Sequence, residues 1–137
     1  MRAGGPRHQA RELALKVLFE LESGSEETPE AVLAYHAKEA GVSPATRTFA
    51  AELIGGVREN AEQLDATIQG YSKSWSLGQM GKVDRIVLRI AIYEISIARN
   101  VPVKAAINES ILLAQTFASD ESGRFVNGIL GRVAETA

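Results

Sequence analysis

The stretch from Lys82 to Asn100, KVDRIVLRIAIYEISIARN, constrains the fold more than any other part of the chain. At about 100° per residue, its apolar side chains cover most of the circumference of a helix. The polar residues that gather on one narrow sector are Arg85, Arg89, Ser96 and Arg99. A helix that is apolar nearly all round is packed on several sides in a core. We therefore expect a buried helix that ends before Val101-Pro102, because the residue before a proline is disfavoured in the α conformation.

One residue, Glu94, breaks this apolar pattern. It projects within about 20° of Val83 on the helical wheel, in the middle of the buried arc. An unpaired carboxylate in a core costs several kcal/mol or takes up a proton. The sequence therefore predicts that Glu94 is buried and hydrogen-bonded. The partners that we expect are backbone N–H groups after Pro102 or two further buried polar residues, Asn108 and Asn127.

The rest of the chain shows repeated helix start signals and no strand pattern. Thr28-Pro29-Glu30 and Ser43-Pro44 each place a capping side chain before a proline at the first helical position. Ser119 precedes two acidic residues in the same way. Apolar residues follow these signals at spacings of three and four, as in amphipathic helices.

These signals predict an all-α protein of about seven helices. We expect a single domain over residues 1–137 that consists of two small packed helical bundles. The N-terminal bundle is expected over about residues 7–71 and the C-terminal bundle over about 82–136. The turn-rich segment from Tyr71 to Lys82 is the predicted boundary between them.

The sequence contains few residues in patterns that could carry out catalysis or bind a metal. The chain has no cysteine, which excludes disulfides and thiolate sites. His8 and His36 lie on different predicted helices without metal-ligand spacing, and Gly81-Lys82 lacks the loop of a phosphate-binding motif. We therefore expect no catalytic residue, no metal site and no cofactor, so that the protein is not an enzyme. The N-terminus has no hydrophobic signal region, and we expect a cytoplasmic protein.

Basic residues are concentrated at the start of the chain, although the net charge is −2. Arg7 and Arg11 lie one turn apart on the first predicted helix, so both are expected to reach a phosphate backbone. Phe19 is close to Arg11 in azimuth and has two interpretations. It is either a core aromatic, which we favour, or an aromatic that stacks on nucleic-acid bases. A basic start on an acidic chain indicates an anionic partner, although it is often only a solvated terminus.

Four segments of the chain, in this order and at these spacings, are similar to one known family. They are Ala10 to Phe19 (ARELALKVLF), Val83 to Glu94 (VDRIVLRIAIYE), Val101 to Glu109 (VPVKAAINE) and Phe125 to Leu130 (FVNGIL). Through them the chain closely resembles the NusB family of bacterial transcription antitermination factors. The resemblance implies binding of the boxA element of nascent ribosomal RNA together with the small-subunit ribosomal protein NusE. Both would belong to the antitermination complex of RNA polymerase.

The resemblance also implies which residues face the RNA and the protein partner. By position, the RNA surface would include Arg7, His8, Gln9, Arg11, Phe19, Asp84, Arg124 and Phe125. Family members often carry consecutive arginines where this chain has Arg7-His8-Gln9, so we expect its RNA affinity to be weak without NusE. NusE is expected on the carboxy-terminal half, around the buried helix.

Two kinds of function stay open on the sequence. The first is an RNA-binding adaptor that joins boxA RNA, NusE and RNA polymerase. The alternative is a protein-binding helical module without intrinsic RNA specificity. Some members of the family form homodimers that cover the RNA surface, so both a monomer and a homodimer are compatible with the sequence.

Overall fold

The computed structural model describes residues 5–136, and in that range the chain consists of helices, turns and connecting loops without any strand. The seven α-helices are α1 (Pro6–Glu22), α2 (Pro29–Ala40), α3 (Pro44–Glu59), α4 (Ala61–Tyr71), α5 (Lys82–Ile92), α6 (Val103–Phe117) and α7 (Asp120–Glu135). A short 3-10 helix (Leu77–Gln79) precedes α5, and a π-helical turn (Tyr93–Ala98) continues it. The predicted all-α fold with seven helices is confirmed.

The helices begin where local side chains can satisfy their free N–H groups. The Thr28 hydroxyl accepts a hydrogen bond from the Ala31 N–H at 3.1 Å. Ser43 does the same for Thr46 at 3.1 Å, and Ser119 for Ser122 at 3.1 Å. Gly41 ends α2 in the left-handed conformation with φ of 65°, which glycine adopts without strain. These four boundaries follow from the sequence signals alone.

The chain divides into two compact units after Gly56, within α3. The sequence placed a boundary between Tyr71 and Lys82 instead. The difference concerns α4, which packs against α5 and α7 and therefore belongs to the second unit. An ion pair accompanies this packing, since Arg89 of α5 donates to the two carboxylate oxygens of Asp65 at 2.7 and 3.2 Å.

In the first unit, α1 and α2 pack against each other through aliphatic side chains. The buried residues of α1 include Leu13, Ala14, Val17 and Leu18, and those of α2 are Val32, Leu33 and Ala37. His36 on α2 also contacts Glu20 on α1, with 2.8 Å between Nε2 and Oε1. The 3–4 spacing of the apolar residues thus places one stripe of each helix in a common core.

In the second unit, α5 packs against α4, α6 and α7. All six of its residues from Ile86 to Ile92 other than Arg89 are buried, as the apolar pattern predicted. Arg85 and Arg89, the two arginines of α5, are half-buried and bind neighbouring segments. Arg85 donates to the carbonyls of Leu77 and Met80, at 3.2 and 2.7 Å, and so holds the loop that precedes its own helix.

The end of the buried stretch differs from the expected regular helix. After Ile92 the chain forms a π-helical turn, and Arg99 then adopts a left-handed conformation with φ of 52°. The Arg99 N–H donates to the Glu94 carbonyl at 2.9 Å, which spans five residues instead of four. The helical path therefore stops at Arg99, three residues ahead of Pro102.

Glu94 lies in this π-helical turn and is only 2% exposed, which confirms that it is buried. The expectation that Asn108 and Asn127 are buried polar residues is wrong, because both are exposed. Asn108 lies two residues from buried Ala106 and from buried Ser110, and therefore on the opposite face of α6. On α7, Asn127 falls about 40° beyond the edge of the buried stripe.

Candidate RNA-binding surface

In the first unit, an arginine at the beginning of α1 contacts an aromatic ring of α3. This helix starts after Gly5 with Pro6 in its first turn, where a proline costs no hydrogen bond. Arg7 follows directly and is exposed. Its guanidinium carbon lies 4.4 Å from the centroid of the Phe49 ring on α3, within the range of a cation–π contact. The contact fixes a long side chain while it leaves the charge available to solvent.

Arg11, one turn further along α1, has a different environment. It is 4% exposed, so the expectation that it reaches a phosphate backbone is wrong. Helical spacing gives the direction in which a side chain leaves the helix, but it does not show what covers a long side chain afterwards. A buried guanidinium is a structural group of the first unit, because a charge in a core must be compensated there.

The two other sequence candidates on α1 are His8 and Phe19. His8 is half-buried, with its Nε2 atom 3.6 Å from a carboxylate oxygen of Glu12. Phe19 is 40% exposed, so it is not the core aromatic that we favoured. An exposed ring keeps open the alternative interpretation, in which Phe19 stacks on unpaired bases. Gln9, between Arg7 and Arg11, is half-buried.

In the second unit, the loop between α4 and α5 is held in place by side-chain hydrogen bonds. The Trp75 carbonyl accepts from the Ser72 hydroxyl at 2.7 Å and from the Gln69 amide at 3.1 Å. The same Gln69 side chain accepts from the Leu77 N–H at 3.1 Å. Ser76 and Gln79 form a capping box around the short 3-10 helix. These bonds fix the loop backbone and leave the Trp75 side chain 51% exposed.

A cavity of about 370 Å³ opens beside this loop. Its walls come from the loop, from the start of α5 and from the start of α7. The side chains that give it chemical character are Trp75, Met80, Asp84, Glu121, Ser122 and Phe125. Two of the sequence candidates, Asp84 and Phe125, therefore line the same cavity. Arg124 precedes Phe125 on α7 and is exposed, with no ion-pair partner among the described residues.

Asp84 is the electrostatically unusual residue of the cavity. Burial raises the pKa of its carboxyl group above 3.8, a hydrogen bond with Ser122 lowers it, and the nearby charge of Glu121 raises it again. The Oδ1 atom of Asp84 is covered and has no hydrogen-bond partner in the described part of the chain. A buried acceptor without a partner carries an energetic cost that a bound donor would remove.

The structure thus groups the sequence candidates by unit. Five of them lie on α1 in the first unit (Arg7, His8, Gln9, Arg11 and Phe19), and three lie in the second unit (Asp84, Arg124 and Phe125). Two functional candidates were not predicted, Phe49 under Arg7 and Trp75 at the cavity. Phe49 has the four-residue spacing to Leu53 and Val57 that is typical of a buried helical stripe, and Trp75 lies in the segment that was predicted only as a turn-rich boundary.

Comparison with known proteins identifies the family. A sequence profile described as the NusB family matches residues 8–135. The chain belongs to the NusB family. A transcription antitermination protein NusB from Heliobacterium modesticaldum is 45% identical over 93% of this chain, which spans 62% of the length of that relative. The NusB protein of Geobacter sulfurreducens is 39% identical, with 96% of each chain covered. The chain is thus a member of a family of transcription antitermination proteins.

Solved structures of NusB proteins share the fold. A T. maritima NusB structure superposes with a TM-score of 0.86 at 35% identity, over 96% of this chain and 92% of the other. A structure of antitermination factors NusB and NusE in complex with dsRNA gives a TM-score of 0.87 at 22% identity, over 96% and 98% of the two chains. At that identity the second likeness establishes the NusB fold alone.

None of the helices in residues 5–136 has the length and hydropathy needed to span a lipid bilayer. Nor do the His, Asp and Glu residues of that range form a group that could hold a metal ion.

Proposed function

We propose that this chain is a transcription antitermination factor that binds boxA-type RNA of nascent ribosomal RNA together with NusE. It works in the antitermination complex of RNA polymerase, in the cytoplasm, as a binding factor and not as an enzyme. The observation that carries the proposal is the exposed Arg7 above the Phe49 ring, in a chain whose relatives at 39–45% identity are transcription antitermination proteins. Cations on a fixed helix surface bind the phosphate backbone of RNA.

The RNA affinity of the chain by itself is weak in this proposal. Of the four residues at the arginine-rich start, Arg7 is exposed, His8 and Gln9 are half-buried, and Arg11 is buried. One exposed cation releases few counterions, and counterion release supplies most of the non-specific affinity for nucleic acids. NusE then raises the affinity by adding its own contacts. The solved complex of a NusB with NusE and dsRNA supports this joint mode.

The second unit binds NusE in this proposal, around α5 and its neighbours. Three of the four segments that are similar to the family lie in this unit, and α5 packs against three of its helices. Isothermal titration of the purified chain with NusE tests this part. A heat of binding at micromolar concentration is expected, and its absence together with separate elution in gel filtration would contradict it.

A gel-shift series tests the RNA function. It compares a boxA-like RNA with a scrambled RNA of equal length, each with and without NusE. Every comparison is made at about 50 and 200 mM salt, because phosphate contacts are clearly weaker at the higher concentration. We expect NusE to tighten binding of the boxA-like RNA, a clear preference over the scrambled RNA, and weaker binding at the higher salt.

The same series separates the alternative function. If NusE binds but neither RNA is preferred, the chain is a protein-binding helical module without RNA specificity. Analytical ultracentrifugation of the free chain then shows whether that module is a monomer or a homodimer. A complete absence of RNA binding, also with NusE present, would refute the proposed function.

A further inference from the structure

The acidic side chains of this protein are concentrated in one stretch. Residues 20–39, which form the end of α1, the loop after it and most of α2, contain six glutamates and a single basic residue, Lys38. With His36 neutral, this stretch carries a net charge of −5, whereas the whole chain carries −2 and the remainder of it therefore +3. Such a separation of charge favours partners of opposite sign at different places on one protein.

An aromatic ring lies in the middle of this stretch. Tyr35 on α2 is 59% exposed, more than any other large hydrophobic residue in residues 5–136. Its ring packs at 79° against the His36 ring, with 5.2 Å between the two centroids. His36 is in turn fixed by Glu20 of α1, with 2.8 Å between Nε2 and Oε1. Because the ring is supported by this contact between α1 and α2, a partner can bind it at a small entropic cost.

Exposed glutamates lie on both sides of Tyr35 along α2. Glu39 follows it by about one turn, and Glu27 comes directly before Thr28, the N-cap residue of the helix. At about 100° per residue, Thr28, Tyr35 and Glu39 project within about 40° of one another. The position of Glu27 is also defined, because its N–H donates to the Ser25 hydroxyl at 3.2 Å. Together Glu27, Tyr35 and Glu39 form an acidic face.

The acidic face attracts cations and repels the phosphate groups of RNA. Neither Glu27 nor Glu39 has an ion-pair partner in residues 5–136, so their charges are not compensated within the fold. Lys38, the single base of the stretch, projects about 60° away from Tyr35 on the helix. Two uncompensated carboxylates on either side of an exposed ring match a partner that carries several cations.

The acidic face and Arg7 are far enough apart to bind different partners. Glu20, which contacts the neighbour of Tyr35, follows Arg7 by 13 residues on α1, or about 20 Å of helix. Exposed charges are largely screened from each other beyond about 8 Å at 0.15 M salt. The first unit can therefore bind phosphate at the start of α1 and a cation on α2 at the same time.

We propose that the acidic face binds a segment of a protein partner that is rich in arginine and lysine. One cation of the segment lies over the Tyr35 ring, since aromatic faces attract cations, and the flanking cations pair with Glu27 and Glu39. These glutamates are 12 residues apart, or about 18 Å of helix, which corresponds to about five residues of extended chain. The partner is additional to the RNA and NusE of the proposed function, and its binding requires neither of them.

A synthetic peptide is the probe for this surface. It carries an arginine pair at each end and one arginine in the middle of about five intervening residues. In the control peptide, glutamine replaces every arginine. We expect the full chain to bind the arginine peptide and not the glutamine peptide, as measured by the anisotropy of a fluorescent label. Binding should weaken between about 50 and 200 mM salt, because exposed ion pairs are screened.

An NMR titration with the arginine peptide locates the bound surface. We expect the backbone amide signals of residues 26–39 to shift and those around the cavity of the second unit to stay in place. Shifts confined to the cavity would refute the acidic face as the binding site, because Asp84 and Glu121 would then attract the peptide instead.

Variants of the acidic face test the role of each group. Tyr35→Ala should bind the arginine peptide about 2- to 5-fold more weakly, whereas Tyr35→Phe keeps the aromatic face and should bind as the wild type does. Glu27→Gln combined with Glu39→Gln should weaken binding about 2- to 30-fold, because two exposed ion pairs are lost. All three positions are exposed, so the fold should be retained.

Matched controls separate the acidic face from the total charge of the chain. Trp75→Ala removes another exposed aromatic ring, and Glu52→Gln with Glu59→Gln removes two exposed carboxylates of α3. Both controls should leave binding of the arginine peptide unchanged. If they weaken it as much as the variants of the acidic face do, the peptide responds only to general charge or exposed rings, and the acidic face is refuted as a docking site.

Two further outcomes would overturn the proposal and leave RNA binding untouched. The first is that the arginine peptide does not bind, while the chain still binds RNA together with NusE. The second is self-association. If the free chain sediments as a dimer that Glu27→Gln with Glu39→Gln converts into a monomer, the acidic face binds a second copy of this chain and not a basic segment of another protein.

Discussion

The start of α1 and the cavity of the second unit both carry residues that the family resemblance assigns to RNA, but their chemistry is opposite. At α1 the exposed charge is positive and belongs to Arg7, whereas the cavity is lined by Asp84 and Glu121. Phosphates are anions and bases are neutral rings with hydrogen-bonding edges, so each region suits a different part of an RNA. The net charge of −2 is a sum over the whole chain and therefore describes neither of these two regions.

The largest expected effect is a loss of stability on substitution of Arg11. It tests whether this arginine has a structural role or binds phosphate. Arg11→Met removes a buried charge and keeps most of the volume, so the groups that it contacts lose their partner. We expect a loss of about 1–3 kcal/mol in the free energy of unfolding, measured by denaturant melts. Lys16→Met, an exposed change on the same helix, should cost less than about 1 kcal/mol. A stable Arg11→Met protein with a reduced salt dependence of RNA binding would contradict the assignment.

Substitution of Asp84 is expected to give the next largest change in stability. Unlike the substitution of Arg11, it should make the folded protein more stable. The raised pKa of Asp84 means that the folded state binds the proton more tightly than the unfolded state, so the wild type loses stability as pH rises from 3.8 through the folded pKa. Asp84→Asn carries no such charge. At pH 7 we expect it to be more stable than the wild type by at most about 1 kcal/mol, because a partly buried neutral amide costs less than a partly buried carboxylate.

Thermal melts at pH 4 and pH 7 check this prediction, because the gain should shrink toward the lower pH. The matched control is Asp120→Asn at the start of α7, where an exposed carboxylate interacts favourably with the helix dipole. That variant should lose a few tenths of a kcal/mol at pH 7. If Asp84→Asn and Asp120→Asn changed the stability equally at both pH values, burial in the cavity would not disfavour the charged form of Asp84.

Arg7 is expected to have a smaller energetic effect, seen in RNA binding and not in stability. Arg7→Ala removes one exposed cation, so the slope of log affinity against log salt should fall by about 0.7 for single-stranded RNA. At about 0.15 M salt this corresponds to about fourfold weaker binding. Lys16→Ala is the control on the same helix and should change the slope less. Equal slopes for wild type and Arg7→Ala would exclude Arg7 as a phosphate contact.

The contrast between these regions also shows what a sequence determines locally. The starts of α2, α3 and α7 could be predicted because each depends on one side chain and on an N–H group three residues later. The burial of α5 could be predicted because its apolar residues leave only a narrow polar sector. In each case the information lies within one helical turn or along one helix.

Other features depend on residues that are distant in sequence. The burial of Arg11 and the contact of Arg7 with Phe49 both require knowledge of the neighbouring helices. The π-helical turn has no local signal of its own. Trp75 lies in a segment that was recognised only by its serines and glycines, and its cavity also needs residues from the start of α7. Tertiary contacts, and not local patterns, assemble the candidate sites.

The smallest expected effect concerns Phe49, and it tests whether the contact of this ring with Arg7 strengthens the proposed binding of RNA. A cation–π contact at an exposed site is worth about 0.5–1 kcal/mol, so the ring restricts the guanidinium before RNA arrives. Phe49→Leu should weaken RNA binding by about twofold and leave the salt slope unchanged, since the charge is still present. Phe49→Tyr retains an aromatic ring and should bind as the wild type does.

A double-mutant cycle decides between this positioning role and a direct contact of Phe49 with RNA. Affinities of wild type, Arg7→Ala, Phe49→Leu and the double variant are measured by anisotropy at the same salt concentration. If the ring acts only by holding Arg7, Phe49→Leu has no effect once Arg7 is alanine, because there is no guanidinium left to position. A twofold loss in both backgrounds would mean that the ring itself stacks on a base. The start of α1 would then read bases as well as phosphates, and its chemical contrast with the cavity would be smaller than the charges suggest.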